Sequence, residues 1–521
     1  MRHSFAYPCI PDLGNGRYRN PVLHADYSDP DVIRVGGDYW MTASSFNCTP
    51  GLPILHSRDL VNWTLVNHAL PNLPGDRFSQ VQAGCGVWAP SIRFHDGKLW
   101  IFFPMVDEGI YVTIADDPYG EWSEPWCLVE AKGWIDPCPF WDDDGKAYMV
   151  HAYAFSRSGR KEILHLRQMT PDAKSLLPGD KEIIHGPHHP YLEGPKLHKF
   201  NGWYYILAPG GGVTKGWQVA YRSRTIEGPY EEKIVLEQGS SAINGPHQGA
   251  LIDIPSNGEK VPGEASAWWF IHFQDAGPFG RITHLNPVRW EEGWPLMGVD
   301  HDGNGTGEPV TEWEKPFTGS REPVAAPPTS DEFDALKLGL QWQWHANHKT
   351  DWASFSERPG WLTLHALLAG RDEGGKELPP HLTPHLLAQK FPAREFRVTA
   401  LADGSALGEG ARAGLAVIGG GHSAFLALCH KAGQWTLSLE LDGVLTGSAV
   451  SLPNPMLLLS VSVSEGALCS FSYALPGETP KPFPGTFTAG EGGWIGAKVG
   501  LLCTGDSGAA AFDYFRFTDA C

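Results

Sequence analysis

Three acidic residues stand beside prolines that open strand-like runs: Asp29 in SDPDVIRV, Asp136 in IDPCPFW and Glu193 in EGPKLHKF. Strand propensity disfavours Asp and Glu, so carboxylates at the mouths of strands suggest chemistry more than folding. Two further segments share the form with other side chains, WAPSIRF with Trp88 and GPHQGALID with His247. Converging carboxyl groups suit glycoside hydrolysis, in which one carboxylic acid protonates the leaving oxygen and a second carboxylate activates water or attacks carbon. A third carboxylate nearby helps to keep the acid protonated near neutral pH, because like charges raise a neighbour's pKa. Trp88 and Phe46 offer aromatic faces to a sugar ring. One such unit alone reads as turn initiation by Asp or Glu; the recurrence argues otherwise.

The elements that must position these residues also recur. GGDYWMTAS at 36, DGKLWIFFP at 96, DGKAYMVHA at 144 and NGWYYILAP at 201 each pair a Gly turn with an aromatic-bearing strand, and ASAWWFIHF at 265 is a fifth version. The turn glycines 37, 97, 145 and 202 are 60, 48 and 57 residues apart, about one four-stranded propeller blade with decorated loops. The first strand of each blade lines the central channel, so five such strands gather Asp29, Trp88, Asp136, Glu193 and His247 around one pocket.

The repeats stop after NPVRWEEGWPLMG, and EWEKPFTGSREPVAAPPTSDEF is Pro-rich and polar, which reads as a linker. Beyond it, strand-like runs alternate with Gly turns without a helical period, as expected of a jelly-roll β-sandwich. The expected fold is therefore all-β: a propeller over 1–312, a linker over 313–330 and a sandwich over 331–521, the sandwich read as a buttress ahead of the alternative, a carbohydrate-binding module.

Composition narrows the function. The 521 residues carry a formal net charge of −19, which argues against nucleic-acid or anionic-membrane partners, since these need basic patches. Nine cysteines without a CxxC pair suggest reduced, mostly buried thiols. The N-terminal stretch has no apolar signal-type core and no run is long enough to span a bilayer, so a cytoplasmic enzyme is expected. No Ser-His-Asp or nucleotide-loop signature competes. Asp142, Asp143 and Asp144 precede Gly145 and read as a solvated hairpin turn; His188 and His189 read as a solvated loop before Glu193.

NPVLHADYSDPDVIRVGGDYWMTASSF, GVWAPSIRF, IDPCPFWDDDGKAYMVHAY, EGPKLHKFNGWYYILAPGGG and GRITHLNPVRWEEGWP, in that order, resemble glycoside hydrolase family 43 over roughly residues 18 to 300. The tail from about 330 is similar to the concanavalin-like sandwich of its β-xylosidase-type members. The resemblance implies a five-bladed propeller of inverting enzymes acting on α-L-arabinofuranosides and β-D-xylosides. It implies Asp29 as general base, Glu193 as general acid and Asp136 as the residue that orients the acid and raises its pKa. Phe46, Trp88 and Arg281 would bind sugar. His247 would be the axial histidine, near which many members hold a calcium or sodium ion, here through water; no cofactor is otherwise required.

The leading expectation is an exo-acting α-L-arabinofuranosidase working on arabinose-containing plant cell-wall glycans, with β-xylosidase second. A non-catalytic sugar-binding protein and a phosphorylase are the other classes. The partners expected are arabinose- or xylose-containing oligosaccharides, with a homo-oligomer compatible. PGLPILHS stands where β-xylosidase-like members carry a bulkier aromatic stretch.

Overall fold

The computed structural model describes residues 9–255, 265–319 and 321–518. Five antiparallel four-stranded sheets follow one another along the chain, each with its strands in sequence order. The first blade runs from Asp31–Val35 to Thr64–Leu70, the second from Ser91–His95 to Trp126–Glu130 and the third from Trp134–Trp141 to Lys181–His185. The fourth runs from Lys196–Phe200 to Glu231–Leu236 and the fifth from His247–Pro255 to Trp294–Met297. Each begins with the hairpin read from the repeats. In the first blade, however, the left-handed turn glycine is Gly36 (φ 66°), not Gly37.

The ring closes between blades five and one. Val32, Met41, Ile252, Ile254 and Ile271 share one buried cluster, and Arg34 pairs with Asp253 across the seam. The chain ends reinforce the closure. Arg17–Arg19 pairs antiparallel with Glu312–Glu314, and the Asn20 side chain donates to the carbonyls of Leu285 and Val310. The propeller thus extends two residues into the segment read as linker. That linker is also docked, because Lys315 reaches the buried carboxylates of Asp12 and Asp59.

The C-terminal region is a sandwich of two seven-stranded antiparallel sheets. Alternating apolar residues of both inner faces, such as Val398, Leu415, Leu426, Leu459 and Phe515, fill one continuous core, as sheet-on-sheet packing requires. The sandwich is joined to the propeller by paired backbone: Thr49 and Trp344 exchange N–H···O bonds of 3.0 and 2.6 Å, and Ala497 N–H donates to Pro278 O at 2.7 Å. Phe279 of the propeller is buried within the sandwich core cluster. Among the described residues no disulfide forms; Cys48, Cys138, Cys469 and Cys503 are buried, whereas Cys127 is exposed. No described helix is long and apolar enough to cross a membrane.

Candidate active site

Asp29, Asp136 and Gly194 each precede a proline and each has a left-handed backbone, with φ of 54°, 56° and 59°. Proline disfavours the helical region for the residue before it, and each motif turns the chain at that position, ahead of the innermost strand at Asp29 and Gly194 and within strand Trp134–Trp141, at a break in register, at Asp136. Non-glycine residues held there cost of order 1–3 kcal/mol and cluster at functional sites. The structure corrects the phase of the repeat. Asp29 and Asp136 are themselves the turning residue, whereas Glu193 stands one position earlier, level with Trp88, and Gly194 makes the turn. His247 follows its proline, and there Gln248 is left-handed (φ 36°).

Asp29 is buried and accepts three hydrogen bonds: Ser28 Oγ at 2.7 Å, Ser44 Oγ at 2.6 Å and an Arg281 guanidinium N–H at 2.8 Å. Three donors fix the carboxylate in direction. Arg281 also donates to Ser28 at 2.9 Å, lies 4.6 Å from the Phe273 ring centroid, and keeps a buried Nε–H without a protein partner.

Asp136 accepts the N–H of Gly194 at 2.7 Å, which ties the third blade to the backbone that carries Glu193. Burial raises the Asp136 carboxyl well above the ordinary carboxylate range, and the charges of Glu193 and then Asp29 add to this; the Gly194 N–H and the Lys196 ammonium oppose it. The neighbour that sequence reasoning expected to raise the acid is thus itself raised. Glu193 is the more open of the two, with its side chain 32% exposed, and accepts from His247 Nε2 at 2.9 Å.

His247 is fully buried. Its Nδ1 and the Nε2 of His272 are buried without a protein partner, two polar atoms that fit water or a hydrated cation. Among the described residues no three His, Cys, Asp or Glu side chains converge as metal ligands, so protein would supply few of an ion's contacts.

Phe46 is 4% exposed and exchanges N–H···O bonds with Val87 at 2.8 and 3.0 Å, which sets it beside Trp88. Arg157 lies over the Trp88 ring at 5.8 Å. Asp142 forms an ion pair with Lys199 and accepts from Tyr204 at 2.6 Å, so its role is structural; Asp143 and Asp144 lie in the exposed turn. His188 is exposed, but His189 is buried and accepts from Trp217 Nε1 at 3.0 Å, so only His188 is the solvated residue expected.

Several residues escaped the sequence reading. Ser28 and Ser44 are ordinary in sequence. Lys196 is 1% exposed and donates to Pro90 O and Ser91 Oγ at 2.9 and 2.7 Å. The sandwich contributes as well. Its loop around Trp494 meets Arg281 at 5.5 Å and, with Thr214, Asp275 and Glu491, lines a cavity of about 360 Å³. The sandwich thus lines a cavity together with Arg281 of the propeller. The one sequence signal was a tryptophan among glycines, EGGWIG.

Residues 18–295 match the model of glycosyl hydrolases family 43, and residues 330–518 match the β-xylosidase C-terminal concanavalin A-like domain. The chain belongs to glycoside hydrolase family 43. It is 44% identical to a putative β-xylosidase of Xylanibacter ruminicola over 69% of this chain and 64% of that protein. It is 32% identical to a β-xylosidase of Formosa agariphila over 97% of this chain and 91% of the relative. A non-reducing end α-L-arabinofuranosidase of Bacteroides ovatus is 26% identical over 97% of this chain and 95% of its own length. Among solved structures, a xylan β-1,4-xylosidase of Bacillus halodurans superposes with a TM-score of 0.81 and 25% identity, over 96% of this chain and all of the other. This family 43 chain is a glycoside hydrolase built as a five-bladed propeller with a concanavalin-like sandwich.

Proposed function

We propose that this hydrolase is an inverting, exo-acting β-D-xylosidase. The observation that carries the reading is the trio Asp29, Asp136 and Glu193 itself: the charges of Glu193 and Asp29 both act on Asp136, and Arg281, hydrogen-bonded to Asp29, lines a cavity that the sandwich loop bearing Trp494 also walls. A pocket walled by a second domain favours a chain end over the middle of a polymer. Asp29, held by Ser28, Ser44 and Arg281, is the general base that takes a proton from water. Glu193, open to the pocket, is the general acid that gives its proton to the leaving oxygen. Asp136, through Gly194 N–H, fixes the backbone that presents Glu193. Arg281 offers its free N–H to sugar hydroxyls, and Phe46 and Trp88 wall the ring. His247 orients Glu193 through Nε2–H; a hydrated cation held at its Nδ1 would fix that tautomer.

The sequence alone favoured arabinofuranoside. The names of the relatives favour xyloside, since those of 44% and 32% identity are both called β-xylosidases, one of them putatively. Arabinofuranosidase is the second reading, supported by the Bacteroides relative. Aryl β-D-xyloside and aryl α-L-arabinofuranoside assayed side by side test the choice. The expected result is a higher kcat/KM for the xyloside; a preference for the arabinofuranoside reverses it. NMR of the first-formed sugar should show inverted anomeric configuration, and retention would refute the assignment of Asp29 as base.

A further inference from the structure

Cys48 and Lys498 meet across the boundary between the two domains. Cys48 lies in the propeller loop that starts at Phe46 and is 2% exposed; Lys498 opens the sandwich strand Lys498–Thr504 and is 5% exposed. Their Nζ and Sγ atoms are 2.7 Å apart. Sulfur is larger than oxygen, so an N–H···S hydrogen bond is longer than the roughly 2.7–3.2 Å of N–H···O. This pair is pressed inside that distance, to about the span of two single bonds through one shared atom.

The surroundings of Lys498 are the second observation. A buried ammonium ordinarily sits against a carboxylate, yet among the described residues no carboxylate makes an ion pair with Lys498. Its ladder partner across the sheet is another lysine, Lys390. Cys138, the other buried thiol touching a cation, differs. Its neighbour Arg93, at 2.9 Å, is paired with Asp31 at 2.7 Å. At Cys48, among the described residues, the buried amine is hydrogen-bonded to the thiol, and an amine pressed against a thiol is a pair of nucleophiles open to an electrophilic oxidant.

We propose that Cys48 and Lys498 are a modification site at which dioxygen forms a covalent S–O–N bridge between propeller and sandwich. The thiol loses its hydrogen and the amine loses one of its two. Sulfur and nitrogen each form a single bond to the same oxygen atom, and the second oxygen leaves as water with the two hydrogens. Sulfur and nitrogen each give up two electrons, and dioxygen takes up all four. Two equivalents of a dithiol reverse the step, returning thiol, amine and water. Dioxygen is small and apolar and reaches groups buried under a domain interface. The bridge closes a loop between residues 450 apart in sequence, a constraint on the unfolded chain that raises stability. It also pins two segments that wall the active site, since Phe46 is two residues before Cys48 and Trp494 four before Lys498.

The test uses the full chain. Held in air-saturated buffer and then denatured, wild-type protein should gain the mass of one oxygen less two hydrogens, and dithiothreitol should remove it. A digest should join the Cys48 peptide to the Lys498 peptide. Cys48→Ser and Lys498→Arg should each abolish the linked peptide, together with the rise in melting temperature that air exposure gives the wild type. If a variant fails to fold, the wild-type digest decides alone. Cys48 recovered from air-exposed protein only as a free or oxygenated thiol, or an unchanged link in Lys498→Arg, overturns the proposal.

Discussion

Asp26 in the propeller accepts the backbone N–H of Gly496 in the sandwich at 3.0 Å, and its other oxygen accepts the backbone N–H of Arg281, also at 3.0 Å. One buried carboxylate thus holds the start of the strand that presents Arg281 and the loop that presents Trp494. Close approach is needed there: a Cβ on Gly496 would lie 2.7 Å from Gly280 backbone atoms. Domain docking is thereby felt at the active site.

Asp26→Ala should leave two buried N–H groups without their acceptor, each costing about 1–3 kcal/mol. The melting temperature should fall, and kcat/KM should fall with it even where the protein is fully folded. Unchanged kinetics in folded Asp26→Ala would show that the fork matters to docking alone.

Trp494 has φ of 78° and is 52% exposed, a backbone state that glycine adopts without strain. Trp494→Gly should therefore keep the melting temperature while removing the ring beside Arg281. Exposed cation–π contacts are worth about 0.5–1 kcal/mol, so KM should rise about two- to fivefold with little change in kcat. Loss of kcat at constant KM would place the ring in the reaction itself.

Glu193→Ala and Asp29→Ala should fail differently. Loss of proton donation should cost about 10²–10⁴-fold on natural glycosides, yet much less on aryl glycosides whose leaving group needs no proton. Loss of the base should be severe on both. Equal losses for Glu193→Ala on good and poor leaving groups would move the acid role to Asp136.

Asp136→Asn separates activity from stability. The raised Asp136 carboxyl holds its proton in the folded state over a pH range where the unfolded chain has released it. Stability is therefore full below the unfolded pKa and declines as pH rises toward the folded one. Asparagine still accepts the Gly194 N–H but carries no charge, so the variant should melt higher than wild type near neutral pH, with the gap closing in acid. Its kcat should fall, and the alkaline limb of kcat/KM should move to lower pH, because the repulsion between two carboxylates is gone. Melting curves and rate profiles between acid and mild alkali check both signs.

Much of the site was legible in the chain because a propeller repeats. Asp29, Asp136 and Glu193 each sit beside a Gly-turn hairpin, and the period of the hairpins says that their strands surround one channel. Local chemistry was enough for that, since proline, turn glycine and strand propensity act within a few residues. The offset of Glu193 by one position was also written there, in EGP against SDP and IDP, but it acquires meaning only once Gly194 is seen to make the turn. What tertiary structure decided lies between distant segments. Ser44 joins Asp29 because a strand pair folds it back, Lys196 reaches Pro90 from another blade, and Trp494 and Gly496 arrive from a second domain. None of these contacts has a local pattern, because the free energy that selects them comes from burying two domain surfaces against each other, and no sequence period records where those surfaces meet.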